Sequence, residues 1–199
     1  MSIKNEIAKT WQEIPNEAKI FLKRAILIFI IWKIVYNGFL YNEKIIDKPL
    51  THLTSYSTML LLNKVYPQSI FVSRTNFLPI ELGFPRGSII DNIYKDGKNV
   101  VGIADGCNAL ELYAIYIGFL FCLPSRFSRV LFFLVLGVFI IYCANIFRCL
   151  AIGMLNISQN RLTDVAHHYI FKLIVYFLIF VLWALFLKNK FVHIENNKS

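Results

Sequence analysis

Long apolar runs are the feature that most limits what this chain can fold into. The run from Val130 to about Leu150 has the roughly 20 residues that an α-helix needs to cross the hydrocarbon core of a bilayer. In the whole chain 57% of residues are hydrophobic and 17% are charged, whereas about 25% are charged in an average soluble domain. The sequence therefore predicts an integral membrane protein with one domain, residues 1–199.

Four apolar segments predict transmembrane helices that together form an all-α membrane helix bundle. The segments are Phe21–Leu40, Asn108–Leu123, Val130 to about Leu150, and His168–Leu187. The connector at 124–129 is very short, so we expect the two spans that it joins to be antiparallel neighbours. Residues 50–66 are shorter and are diluted by threonine and serine, which favours a re-entrant or interfacial helix, with a true crossing as the alternative.

The N-terminal residues 1–19 place apolar side chains at helical spacing among charged ones. This pattern predicts an amphipathic helix at the membrane interface, and a plain basic tail is the alternative. No small-x-small cleavage site follows the first apolar segment, so we expect that segment to remain as a membrane anchor.

Residues 67–106 have a different character, because prolines and glycines interrupt any helix there. The pair Asp96-Gly97 lies between two strand-like segments, 88–95 and 98–103, and it accepts the positive φ angles of a type I′ turn. The sequence therefore predicts a small extracytoplasmic β-hairpin that leads directly into Cys107.

The distribution of lysine and arginine predicts the orientation of the chain. The net charge is +9, but the cations flank apolar segments instead of forming a basic surface, which argues against nucleic-acid binding. Short cytoplasmic loops carry an excess of these residues. The N-terminal segment, the 124–129 loop and the tail at 188–199 are basic, whereas the connector at 151–166 holds only Arg161. We therefore expect both termini on the cytoplasmic side, and residues 41–106 and 151–166 outside.

This topology brings three polar residues to the outer face. Cys107 precedes a span that enters from outside, Arg148 ends the span that exits, and His167 begins the span that re-enters. Together they predict a cysteine-nucleophile active site, with His167 as general acid and base and Arg148 as the stabiliser of a thiolate or oxyanion. The structural alternatives are a packing thiol, an arginine that snorkels to lipid phosphates and a hydrogen-bonding histidine.

The four residues from Asn108 to Glu111 have the form of a capping box. In this interpretation Asn108 is the N-cap of a helix and Glu111 is its third residue, N3. Cys107 would then lie just before the positive end of the helix dipole, which favours the thiolate.

Three other polar residues are candidates for supporting roles. Asp105 is a candidate to orient the histidine, and Asn145, one helical turn before Arg148, is a candidate to orient the guanidinium. His168 is the alternative to His167, because adjacent helical residues point in different directions.

Cysteine and histidine spacing argues against a metal or another cofactor. The chain has four cysteines and no CxxC pair, so zinc-ribbon and thioredoxin chemistry have no support. The adjacent histidines do not have the i, i+4 spacing of a helical zinc site. We expect no metal and no cofactor, and a free Cys107 instead of a disulfide with Cys149.

At these residues the chain resembles the exosortase/archaeosortase family, and it is most similar to the short bacterial exosortase variants. The resemblance rests on the segment Asp105–Leu112 with its cysteine, on Asn145-x-x-Arg148 at the end of a span, and on His167-His168 at the start of the next. Ala109 departs from the glycine expected there.

The resemblance implies a membrane-embedded cysteine protease and transpeptidase of the bacterial cytoplasmic membrane. Its partners would be membrane lipid and exported proteins that carry a C-terminal sorting signal, namely a short motif, a hydrophobic span and a basic tail. It would cleave near the motif at the outer face through a Cys107 thioester and transfer the product to a surface acceptor. The alternatives are a non-catalytic membrane assembly or transport subunit, and another membrane enzyme such as an acyltransferase that uses the histidine.

Overall fold

The computed structural model describes residues 15–40, 44–78, 88–159, 163 and 169–195. Five α-helices are present in this part of the chain: α1 (Asn16–Val35), α2 (Asp47–Val65), α3 (Leu110–Cys122), α4 (Phe127–Ile157) and α5 (Phe171–Glu195). A π-helical segment, Tyr36–Leu40, extends α1. Three strands, β1 (Phe71–Leu78), β2 (Ser88–Lys95) and β3 (Lys98–Ala104), lie between α2 and α3.

Two helices are long and apolar enough to cross a membrane, namely α4 and the part of α5 from Phe171 to Lys188. These correspond to two of the four predicted spans. The other two helices differ for separate reasons. Helix α3 has 13 residues and spans about 20 Å at 1.5 Å per residue, against about 30 Å of hydrocarbon core. Helix α1 carries Lys23, Arg24 and Lys33 along its length. The predicted interfacial helix at 1–19 lies mainly outside the described residues.

The predicted hairpin is present, with Asp96 and Gly97 at positive φ angles of 51° and 78° between paired β2 and β3. Strand β1 is an additional strand, and it pairs antiparallel with β2 to give the order β1-β2-β3. Its composition gives a weak signal, because β-branched and aromatic residues lie between Pro67 and Pro79. The sheet therefore has three strands where the sequence predicted two.

Helix α2 covers most of the segment predicted as re-entrant or interfacial, and its buried face is polar. That face consists of Asp47, Thr51, Thr54, Ser55 and Thr58 together with Leu62. The hydroxyl oxygens of Ser55 and Ser73 lie 2.7 Å apart, and His52 Nδ1 lies 2.7 Å from Asp91 Oδ2. These contacts join α2 to strands β1 and β2, which explains why a helix of such low hydropathy is buried on one side.

The core consists of two clusters that lie along α4. One cluster joins α3, α4 and α5 and includes the fully buried Tyr116, Ile141 and Phe186. The other joins α2, the sheet and the C-terminal part of α4, and includes Leu62 and Ile152. The 31 residues of α4 reach about 46 Å. One helix is thus long enough both to cross a bilayer and to continue into the polar layer that holds the sheet.

Two glycines of α4 differ in the room that surrounds them. A Cβ at Gly137 would overlap the ring of Tyr116, whose hydroxyl donates a 2.6 Å hydrogen bond to the Phe133 carbonyl. A Cβ at Gly153 would instead make ordinary contacts, the nearest at 3.5 Å to Leu62. The two positions therefore form a matched pair for testing the packing of the helices.

We expect Gly137→Ala to lower the free energy of unfolding by about 1–3 kcal/mol, because a packed aromatic ring must move. Gly153→Ala should be neutral or stabilising by up to about 1 kcal/mol, because alanine favours the helix. Denaturant unfolding in detergent, followed by circular dichroism, measures both values. Equal stability of the two variants would contradict the packing of α3 on α4.

Candidate active site

The predicted nucleophile, Cys107, ends a single 3₁₀ turn, Asp105–Cys107, that connects β3 to α3. The Asn108 amide closes this turn with a 3.4 Å hydrogen bond to the Asp105 carbonyl. The thiol is partly buried, and all four cysteines of the chain are free. The thiol therefore lies on a short turn that directly follows the last strand of the sheet.

The predicted capping box is wrong in its register. Helix α3 begins at Leu110, its N-cap is Ala109, and Glu111 is exposed and makes no capping hydrogen bond. Asn108 lies one residue before this N-cap, and its Oδ1 accepts a 2.9 Å hydrogen bond from the Leu110 amide. The cause is the left-handed backbone of Ala109, which interrupts the helical path after Asn108.

The conformation of Ala109 also explains why glycine is expected at this position. Its φ angle is +66°, a left-handed conformation that costs a residue with a Cβ about 1–2 kcal/mol. Glycine adopts it without that cost. The side chain is 6% exposed and packs in the first core cluster, so burial of its methyl group offsets part of the strain.

Arg148 and Cys107, which the sequence predicted to be at the same site, lie side by side. Arg148 Nη2 is 3.6 Å from Cys107 Sγ, and the arginine side chain is only 7% exposed. Asn145 connects the two residues, because its Nδ2 donates to the Cys107 carbonyl at 2.9 Å and its Oδ1 accepts from Arg148 Nη1 at 3.4 Å. Residues three apart on a helix share a face, so α4 presents the amide and the guanidinium to the same turn.

Asp105, the candidate to orient the histidine, is held by an ion pair through one of its two carboxylate oxygens. Its Oδ2 forms a 2.9 Å ion pair with Lys44 Nζ, and the two side chains are 11% and 8% exposed. Its Oδ1 is buried and has no hydrogen-bond partner within the described part of the chain. A lysine from the turn before α2 thus holds the first residue of the cysteine turn.

A second set of contacts holds the other side of that turn. Asn108 is fully buried, and its Nδ2 donates to Asp47 Oδ1 at 3.1 Å and to Thr51 Oγ1 at 3.3 Å. The Tyr36 hydroxyl donates to Asp47 Oδ2 at 3.2 Å. We call Lys44, Asp47 and Thr51 the clasp, because these three residues hold the cysteine turn at both ends.

Sequence reasoning missed the clasp, although a signal for it exists. On α2 the polar residues Asp47, Thr51, Thr54, Ser55 and Thr58 recur at helical spacing. A polar stripe of this kind on a membrane protein indicates a face that packs against protein and not against lipid. Lys44 gives no such signal, since its partner Asp105 is distant in sequence.

The two histidines, His167 and His168, lie outside the described residues. Thr163, in the same connector, lines a cavity of about 200 Å³ together with Cys107, Arg148 and Cys149. Among the residues that the structure describes, no group of three His, Cys, Asp or Glu side chains is arranged to hold a metal ion.

Arg148 also lines a second, larger cavity of about 320 Å³. Tyr36, Asp47, Lys172 and Tyr176 contribute polar groups to its wall. Arg148 therefore lines both cavities, and Cys107 lines the smaller one. A thiol beside a buried cation, with two adjoining spaces for reactants, is suited to acyl transfer.

We expect Lys44→Met to lower the free energy of unfolding by about 3–5 kcal/mol, because it leaves the Asp105 carboxylate buried and unpaired. The double variant Lys44→Met/Asp105→Leu should recover most of this loss. Lys48→Met, which removes an exposed cation from the start of α2, is the control and should change stability by less than about 0.5 kcal/mol. Additive losses in the double variant, measured by denaturant unfolding, would argue against the pair.

Comparison with known proteins identifies a family for this chain. The family model for transmembrane exosortases matches residues 18–185, which is most of the chain and includes the cysteine turn, Asn145 and Arg148. No curated protein and no solved structure shows significant similarity to it. Because the family model covers far more than half of the sequence, the chain belongs to the transmembrane exosortase family.

Proposed function

We propose that this protein is a membrane-embedded cysteine transpeptidase that cleaves C-terminal sorting signals of exported proteins and transfers them to a surface acceptor. The observation that carries the proposal is the 3.6 Å separation between Arg148 Nη2 and Cys107 Sγ. A buried guanidinium beside a partly exposed thiol binds the anions of thiol chemistry, first the thiolate and then the oxyanion. Membership of the exosortase family supports the same reaction.

The proposed reaction has two steps. In the first, the Cys107 sulfur attacks the carbonyl carbon of the scissile peptide bond, and a C–S bond forms. The C–N bond then breaks, and the leaving amine takes a proton from His167. In the second, the acceptor nucleophile attacks the thioester carbon and gives its proton to His167. The C–S bond breaks, and the thiolate is regenerated.

Arg148 would bind the oxyanion in both steps. Guanidinium carries five N–H donors in a fixed fork, and here Nη2 faces the sulfur while Nε is buried without a partner among the described residues. Asn145 holds Nη1 and also the Cys107 carbonyl, which fixes the distance between cation and nucleophile. A donor already in place loses little energy to reorganisation when the oxyanion develops.

His167 is assigned as the acid and base from its place in the chain. Thr163 lines the cavity that contains the thiol, and four residues of extended chain reach at most about 14 Å. This length allows His167 to approach Cys107, and it allows His168 equally. The doubled histidine leaves the choice between the two residues open in the family resemblance, and His167 is the one that we propose.

The site is proposed to lie at the extracytoplasmic face of the bacterial cytoplasmic membrane, with both termini in the cytoplasm. Support comes from the basic 124–129 loop at the start of α4. The cysteine turn and the sheet pack near the opposite end of that helix.

We expect Cys107→Ala to abolish processing of a co-expressed protein that carries a C-terminal sorting tail. Arg148→Ala should slow processing by about 10²–10³-fold, the usual cost of a lost oxyanion donor, and His167→Ala should slow it strongly. Cys143→Ala is the matched control, since it removes another free thiol from α4. Gel mobility of the substrate measures cleavage. Cleavage of the substrate by the Cys107→Ala variant would contradict the proposal.

The second candidate, a non-catalytic membrane subunit, is favoured by the contact of Cys107 with the second core cluster. Alkylation by a membrane-impermeant thiol reagent separates the two. In a variant that keeps only Cys107, the enzyme hypothesis predicts rapid alkylation that slows at least about tenfold with Arg148→Leu, because the thiolate is the reacting form. A thiol that is not alkylated, or whose alkylation rate is the same with and without Arg148→Leu, supports the non-catalytic role.

A further inference from the structure

An apolar groove of about 400 Å³ runs between α1 and α3. Ile28, Phe29 and Trp32 form one wall, and Ala114, Ile115 and Gly118 form the other. The sequence predicts both walls to belong to membrane-spanning segments, and most of the side chains that line the groove are apolar. We call it the lateral groove.

The lateral groove adjoins the larger cavity of the candidate active site, and the two spaces share part of their walls. Tyr36, Leu110 and Glu111 line both spaces. Arg148 lines the larger cavity, so a chain segment that extends from the groove past this shared wall approaches Arg148.

Helix α1, which forms one wall of the lateral groove, has little buried surface. Helix α1 packs on α3, and none of its residues is buried. Its end continues as the π-helical segment Tyr36–Leu40, a conformation that often occurs at functional sites. A helix with so little buried surface can shift to admit a partner at low cost.

We propose that the lateral groove binds the hydrophobic helix of the substrate's C-terminal tail, with the N-terminal end of that helix directed at the larger cavity. This inference rests on the proposed function, and it adds the place where the substrate enters. The scissile bond lies before the hydrophobic helix, so this orientation brings it towards Arg148 and the cysteine turn.

Two features of the groove favour a helix over a lipid acyl chain. Ala114 and Gly118 are four residues apart on α3, with Ala25 also on the lining, and small residues at this spacing let helix backbones approach closely. Glu111 is exposed where the groove meets the cavity. A carboxylate there complements the positive N-terminal end of a helix dipole, whereas an acyl chain has no charge to meet it.

Filling the groove tests the proposal. Gly118→Leu should raise the KM for a substrate with its hydrophobic tail by at least about tenfold, while alkylation of Cys107 by a small reagent stays within about twofold of the unmodified protein. Ala184→Leu, the same kind of enlargement at an exposed position on α5, is the matched control and should leave KM unchanged. Equal KM values for the two variants would overturn the groove as the binding site.

Crosslinking keeps the proposal testable even if Gly118→Leu fails to fold. A photoreactive residue at Ile115, in the groove, should capture the uncleaved substrate in a Cys107→Ala background, and one at Phe139, exposed on α4, should not. Capture of lipid alone from Ile115, or equal capture from both positions, would contradict the proposal. If Cys107-dependent processing persists in that case, only the entry site is wrong; if processing never needs Cys107, the proposed function itself fails.

Discussion

The candidate site depends on how one buried cation is accommodated. Arg148 is 7% exposed, and no carboxylate forms an ion pair with it in the part of the chain that the structure describes. A buried charge is costly unless polar groups compensate it. Among the described residues, the hydrogen-bond partners of its guanidinium are the Asn145 amide and the Cys107 sulfur. No carboxylate in this part of the chain therefore neutralises the positive charge, which can bind an anion that forms at Cys107 or on a substrate.

A cation of this kind is useful only if the sulfur stays beside it, and the clasp explains how that is achieved. Lys44 holds Asp105 and Asp47 holds Asn108, so the residues two before and one after Cys107 are both fixed from the α2 side. Asn145 fixes the Cys107 carbonyl from α4. The turn thus has anchors on two helices that are distant in sequence, and the strain at Ala109 is sustained by the contacts around it.

Features set by local chemistry could be predicted from the sequence, and features set by tertiary partners could not. The Asp96-Gly97 turn follows from residues that tolerate positive φ, and the long apolar helix α4 follows from composition. Cys107 and Arg148 were predicted to lie together, and Arg148 Nη2 is 3.6 Å from Cys107 Sγ. The polar face of α2 shows that the helix packs against protein, but its partners, the sheet and Asn108, come from distant parts of the chain. The start of α3 shifted because Ala109 is left-handed, a conformation that alanine itself does not predict.

Arg148 lines two cavities, and this arrangement offers separate places for the two substrates of the proposed reaction. The acceptor must reach the thioester carbon before water does, so it needs access to that carbon while the rest of the donor is still bound. If the substrate helix lies in the lateral groove, its carbonyl reaches the guanidinium through the larger cavity. The acceptor is then left with the smaller cavity, where Cys107, Asn156 and Thr163 contribute to the wall. Arg148 would thus remain in contact with the oxyanion, whichever side the nucleophile comes from.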